Sequence, residues 1–229
     1  ERLRMLTSPS VSLAGNELFR PGSHHRLQLQ WRNLAGWELR VRRVEPDRHV
    51  VRPEDRDTIG ALHETIEAGA GEVVWSHSSD DLRERRARES EAARRHRHEL
   101  REEEVWIDPL GPGVYAVELS ARTFDGQGTP DPARHAFVVS AMGVLERGYR
   151  AADGETVREL WAVDMNGGEP LPNVALRVDV GDRGPNRTMV WESFDLRTGP
   201  DGRVTFPIGD DRASTLIVRG RHGGHPILF

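Results

Sequence analysis

Leu110-Gly-Pro-Gly-Val-Tyr-Ala-Val-Glu-Leu-Ser120 is the stretch whose reading decides the fold. After a Pro-Gly turn, Tyr115, Val117 and Leu119 fall on one face of an extended chain and Ala116, Glu118 and Ser120 on the other, the period of two that marks a half-buried strand. Leu110, Pro112 and Tyr115 also have the spacing of the approach to a tyrosine corner, in which the Tyr hydroxyl bonds back to upstream backbone at a sandwich edge. Downstream, Ala136-Phe-Val-Val-Ser-Ala-Met-Gly-Val-Leu145 is an almost unbroken apolar run. It suits a strand covered on both faces that leads from one β module into the next. Leu160 to Val180 then sets a strand, a Gly/Pro turn and a second strand with Val174, Leu176, Val178 and Val180 in alternation. Two β modules are expected end to end. The short apolar connection from Phe137 to Val144 should fix the angle between them.

Upstream, Ser10 to Gly15 is a strand candidate followed by a turn at Arg20-Pro-Gly22. Leu27, Leu29 and Trp31 alternate with glutamines, and Trp37, Leu39 and Val41 alternate with Glu38, Arg40 and Arg42, which predicts two strands joined as a hairpin around Asn33 to Gly36. From Pro46 the pattern changes. Asp57 is placed to cap a short helix carrying Ile59, Leu62, His63 and Ile66 on one face and ending at Gly69, and Glu72 to His77 returns to strand character. Asp80 to Glu104 is dense in Arg and Glu with few apolar residues and no Gly or Pro, the composition of a solvated helix. Val105-Trp-Ile107 resumes the sheet. In the second half, turns at Asp153-Gly154, Asn166 to Pro170 and Thr198 to Gly202 separate strands at the regular spacing of a sandwich.

With 229 residues, there is enough chain for two ordinary cores. The formal charge of -5 and pI near 6.1 give no pull toward nucleic acid or an anionic membrane, so neither is expected as a partner. All 32 basic residues other than histidine are arginine, and the absence of cysteine removes disulfides, thiolate metal sites, a cysteine nucleophile and an internal thioester. The chain opens at Glu1 with no signal peptide and closes on a strand-like Ile227-Leu-Phe229, as an excerpt of a longer protein would.

Candidate sites weigh against chemistry. His96 and His98 stand two apart, on different sides of a helix and among arginines that repel a cation, so a solvated face outweighs a zinc site. His24-His25 and the pair His222 and His225 lack accompanying carboxylates, and His63 sits on an apolar helix face as a structural residue. Ser, His and Asp are plentiful, but Ser76-His77-Ser78 is a local coincidence until a third group is shown in place, and no G-x-S-x-G elbow, dinucleotide fingerprint or P-loop occurs. Trp31, Trp37, Trp75, Trp106, Trp161 and Trp191 all lie in strand-like runs, where a core role outweighs sugar stacking. The charged run at Asp80 to Glu104 reads as solvated surface before it reads as a docking face, and Asn186-Arg-Thr188 matches a glycosylation acceptor. No catalytic, cofactor-binding or metal-binding residue is assigned.

Gly113-Val-Tyr-Ala-Val-Glu118, Phe137 to Gly143, Gly168-x-Pro170-Leu-Pro-Asn-Val-Ala175 and Thr198-Gly-Pro-Asp-Gly202-x-Val-x-Phe206, with Trp31-Arg-Asn33 upstream, together resemble the N-terminal macroglobulin-type domains of bacterial alpha-2-macroglobulin-like proteins. The turn motifs are shared with other bacterial sandwich modules. The resemblance implies an all-β chain of two tandem immunoglobulin/fibronectin-like antiparallel sandwiches: residues 1–141 with a helical insertion around 54–104, and residues 142–229. It further implies scaffold domains, not an enzyme, within a large extracytoplasmic protein that traps proteases. Partners would be neighbouring domains of the same chain and, through the parent, proteases. This chain has no cysteine and no identifiable bait segment, so the capture chemistry would lie elsewhere in such a parent. The alternative is a pair of sandwich domains from a bacterial surface or adhesion protein that binds carbohydrate or protein.

Overall fold

The computed structural model describes residues 8–52, 62–79, 100–123, 128–184, 188–208 and 215–229. β1 (Ser10–Gly15), β3 (His25–Arg32) and β6 (Arg101–Ile107) form one sheet in the order β1-β3-β6. Across a core from it lies the sheet β2-β8-β7-β4-β5, made of β2 (Leu18–Phe19), β8 (Ala133–Val139), β7 (Gly113–Thr123), β4 (Leu34–Val44) and β5 (Glu72–Ser78). From Met142 the same arrangement recurs. β9 (Met142–Arg150), β10 (Thr156–Asp164) and β13 (Arg203–Pro207) take the places of β1, β3 and β6. β15 (His225–Leu228), β14 (Thr215–His222), β11 (Ala175–Arg183) and β12 (Met189–Arg197) take those of β8, β7, β4 and β5. Every named pairing is antiparallel except β2 with β8.

Alternation decides which residues fill each sandwich. Leu27, Leu29 and Trp31 of β3 meet Trp37, Leu39, Val117, Leu119 and Phe137 from the facing sheet, all buried. In the second sandwich Leu160, Ala162 and Phe206 meet Val174, Leu176, Val178 and Val218. The sandwich architecture expected from the sequence pattern therefore holds.

The tyrosine corner is present. The Tyr115 hydroxyl donates to Gly111 O at 2.7 Å, and the ring stacks on Phe137 at 5.3 Å. Gly113 leaves room for that ring, since a Cβ there would stand 2.9 Å from the Tyr115 hydroxyl oxygen and push the side chain aside. His25 secures the same turn: its Nε2 accepts the Leu110 N–H at 3.3 Å while the ring packs between Phe19 and Phe137. Burial, aided by the neighbouring His24, pushes the His25 imidazole below its ordinary pKa and holds it neutral.

Two expectations need correction. β3 and β4 do not form a hairpin: β3 pairs with β1 and β6, and β4 with β7 and β5. Asn33, at φ 54, turns the chain through a single left-handed residue that carries it from one sheet to the other. Both alternating runs bury their apolar sides in one core, which requires them to face each other across it, not to lie side by side. Within the insertion around 54–104, helix is minor among the described residues, and the helix reading of Arg101 to Glu104 is corrected. Leu62–Thr65 is one 3-10 turn, Glu72–Ser78 is strand β5 as its pattern predicts, and Arg101 to Glu104 belong to β6. Pairing with β3 overrides helix propensity there, giving Glu102 to Gln30 (2.9 Å) and Glu104 to Arg26 (3.4 Å) while Val105 and Ile107 enter the core. Asp57, Ile59 and most of the Arg/Glu run, with His96 and His98, lie outside the described residues. A short helix α1 (Pro46–His49) follows β4.

Candidate functional site: the seam between the two sandwiches

β8 explains the unbroken apolar run at the middle of the chain. Phe137 and Val139 point into the first core, whereas Ala136 and Val138 occupy the opposite face and belong to a separate apolar cluster. That cluster joins Val44 of β4 and Val114 of β7 to Ile217 of β14 and Leu228 of β15. Leu62 and Ile66 close it on one side, with Val50 and Trp191 half-buried around it. Ile217 is fully buried, and so is Val218 beside it, because β14 is covered on both faces.

The connection itself is tied down at each peptide. Ser140 N donates to Phe19 O at 2.9 Å, and the buried Ser140 Oγ accepts the Met142 N–H at 3.0 Å. Ala141 N donates to His225 Nδ1 at 3.2 Å, and Ala141 O accepts the Met165 N–H at 2.7 Å. The two residues between β8 and β9 are thus bonded to both sandwiches.

A buried ion cluster stands beside the apolar patch. Segments 49–51 and 65–67 form a small ladder, with Val51 N to Thr65 O at 2.8 Å and Glu67 N to His49 O at 2.9 Å, and it carries Arg52 across to the second sandwich. Arg52 Nη2 donates to Asp179 Oδ1 and to Ser193 Oγ, both at 2.6 Å. Ser193 Oγ donates to Asp179 Oδ1 at 2.7 Å, and Arg219 Nη2 bonds the other carboxylate oxygen. The Asp179 side chain has no exposure at all, and Arg219 retains 13%. Burial alone would push the Asp179 carboxyl up. The Ser193 hydrogen bond and the charges and hydrogen bonds of Arg219 and Arg52 outweigh it and hold the group below the usual aspartate range. A carboxylate removed from water in this way is tolerated because each oxygen has donors.

The turn motifs of the second half are structural. Thr198, buried, donates from Oγ1 to Leu171 O at 2.8 Å and accepts the Val174 N–H at 2.9 Å, clasping the Pro170 to Asn173 loop. Gly202, at φ 73, lies so near Ala162 O and Pro170 that a Cβ would stand 2.8 Å from that oxygen.

The histidines and tryptophans weighed in the sequence are dispersed. His24 is exposed while His25 is core. His222 and His225 face each other across the β14–β15 turn, and His225 serves the seam. The His63 imidazole, lowered chiefly by burial, lies near His135, whose Nε2 is 3.1 Å from Asn16 O. Ser76, His77 and Ser78 occupy the exposed edge strand β5, with His77 beside Trp37 and Trp75. Trp31 and Trp37 are core, Trp75 and Trp161 half-buried, and Trp191 lines the seam. Trp106 departs from the core expectation: it is 57% exposed, because it occupies the outward position of β6 between inward Val105 and Ile107. Among the described residues, no group of three or more His, Cys, Asp or Glu is placed to hold a metal, and no helix is long and apolar enough to cross a membrane.

Sequence reasoning missed Asp179, Arg52, Ser193 and Arg219. Arg177 and Asp179 alternate with buried valines, which reads as a solvated face. The available signal was the pair of non-alternating runs Leu216-Ile-Val218 and Pro226-Ile-Leu228, which require cover on both faces.

No protein-family model and no curated protein matches the chain. Among solved structures it is similar to trypsin-activated alpha-2-macroglobulin from Escherichia coli, at 16% identity and TM-score 0.30, covering 97% of this chain and 15% of that one. It is also similar to Escherichia coli alpha-2-macroglobulin activated by porcine elastase, at 11% identity and TM-score 0.37, covering 96% and 21%. A chain of the chaperone–tip adhesin complex of CFA/I fimbriae biogenesis matches at 8% identity and TM-score 0.32, covering 96% and 97%. This chain therefore spans 15% and 21% of the two alpha-2-macroglobulin chains, and the likeness to all three concerns overall fold alone.

Proposed function

We propose that residues 1–141 and 142–229 are two macroglobulin-type domains that serve, without catalysis, as scaffold in a longer extracytoplasmic alpha-2-macroglobulin-like protein that traps proteases. The observation that carries this reading is the seam, where an apolar cluster and the Arg52–Asp179 pair join residues far apart in sequence. A scaffold in a protein that rearranges on cleavage must transmit motion between its ends without dissipating it in a flexible link. Apolar contact plus a buried, fully donated carboxylate is the physical means of doing so. The sequence motifs that resemble macroglobulin domains supply the rest of the reading.

The test uses the full-length parent. Limited cleavage by a protease should change its shape in small-angle scattering and shield the bound protease from large substrates while small ones are still cut. The 229-residue chain alone should inhibit no protease. A parent that neither changes shape nor shields the protease, or an inhibition constant measurable for this chain by itself, overturns the assignment.

A further inference from the structure

The outer face of the β12-β11-β14-β15 sheet changes character along its length. Next to the seam it is apolar, then comes buried Asp179, and beyond it the face is built of arginine. Cross-strand register sets Arg177 opposite Arg219, and Ala175 opposite both Arg197 and Arg221. Directly opposed residues project to the same side, so Arg197 and Arg221 flank the small Ala175 from strands about 5 Å away on each side. The result is a notch with a guanidinium on each wall.

This notch opens into a groove of about 430 Å³, bordered by Pro46 and Asp47 of α1. A second depression of about 470 Å³ shares Pro46, Arg221 and Pro226 with it and adds Arg43 and Arg48 together with Glu45 and Glu72, Arg48 being paired with Glu45 at 3.3 Å. The furrow is longer than one small ion requires.

The partners of these arginines favour an anionic ligand. Arg197 Nη1 donates to Asn173 O at 2.9 Å, and Arg43 Nη2 to Pro112 O at 3.0 Å; each is bonded to a neutral carbonyl, and neither forms an ion pair among the described residues. The Arg221 side chain has neither a hydrogen bond nor an ion pair among the described residues. Arg219 is committed to Asp179 through Nη2, yet its buried Nε has no acceptor. Arg177 is 3.5 Å from Asp195, a pair exposed enough to be exchanged for another carboxylate. In a chain of net charge -5, three guanidinium groups without a carboxylate partner among the described residues, Arg197, Arg221 and Arg43, stand along one furrow.

We infer that the furrow from Arg197 through Arg221 to Arg43 binds an extended acidic polypeptide segment, with one carboxylate held between Arg197 and Arg221 above Ala175. Planar guanidinium forks pair with carboxylates through two parallel N–H donors, which suits arginine better than lysine for the task. The site lies across the seam and does not depend on the protease-trap reading, since it would serve any neighbour that presents such a segment.

The experiment titrates the 229-residue chain into a fluorescein-labelled oligo-glutamate peptide at low salt and follows anisotropy. Saturable binding that weakens as salt rises is expected, with no binding of an oligo-lysine control. Arg221→Gln, which removes no side-chain hydrogen bond or ion pair among the described residues, should weaken affinity about tenfold, and Arg197→Gln/Arg221→Gln further, with both variants melting within a few degrees of the parent. Absence of saturable binding, or affinity unchanged in Arg221→Gln, overturns the proposal. Displacement of the peptide by equimolar inorganic phosphate also overturns it, because the site would then take a free oxyanion and not a polypeptide.

Discussion

Asp179→Asn removes the charge at the centre of the seam while keeping the side-chain volume. Asp179 has no exposed side-chain surface, and its oxygens receive Ser193 Oγ at 2.7 Å, Arg52 Nη2 at 2.6 Å and Arg219. Hydrogen bonds to charged groups contribute about 1.5–3 kcal/mol each, but the three share one carboxylate and do not add. The better guide is the removal of one member of a buried pair, which costs about 3–5 kcal/mol because the remaining cation is left without its counter-charge. Arg219, with 13% exposure, bears most of that cost, while Arg52, at 39%, is partly rescued by water. Arg52→Ala should therefore lose only about 1 kcal/mol after screening, and the double variant should fall short of the sum. Urea melts followed by circular dichroism and by tryptophan fluorescence, which includes Trp191 at the seam, measure both. The pH dependence has a definite sign. Because the folded-state pKa is depressed, this stabilisation is present above the unfolded aspartate pKa of about 3.9 and is lost as pH falls through the lower folded value. A loss below about 1 kcal/mol for Asp179→Asn, or an additive double variant, would refute the reasoning.

Tyr115→Phe deletes the donor to Gly111 O at a corner where the ring is 2% exposed, and should cost about 1–3 kcal/mol in the same melts. His25 is neutral when folded with its pKa lowered by burial, so stability should be complete above the unfolded histidine pKa of about 6.5 and decline as pH drops toward the folded value; comparison with His25→Gln should isolate that slope. Ile217→Ala leaves a cavity in the seam cluster and should cost about 2–5 kcal/mol by urea melt, while fluorescence of the seam tryptophan changes before the bulk transition.

Strand content was legible because alternation is a local property. The Tyr115 corner, the Asp153-Gly154 turn and the paired runs at Val174 and Arg203 could all be read from a few residues. Sheet membership was not, as β3 and β4 show: Asn33 was read as a hairpin residue, but whether one left-handed residue reverses the chain or carries it across the core depends on which strands arrive later. Arg101 to Glu104 were read as helix for a related reason, since their partners in β3 stand some seventy positions earlier, as with Gln30 and Glu102 at a separation of 72. The seam was half legible. Ala136 to Val139 announced a strand covered on both faces, and the cover was found. Which residues supply it could not be read, because the runs around Ile217 and Leu228 call for cover on both faces without naming the partner, and Asp179 sits in a strand whose inward alternation already accounts for its pattern.

Interdomain distance distributions test the central claim most directly. The chain has no cysteine, so Gln28→Cys and Thr205→Cys, both on exposed strand positions, would carry the only spin labels. With the seam intact, double electron–electron resonance should give one narrow distribution, which broadens when Asp179→Asn and Ile217→Ala are added. A broad or multimodal distribution with the seam intact would contradict the account, for the two sandwiches would then be joined by the chain alone.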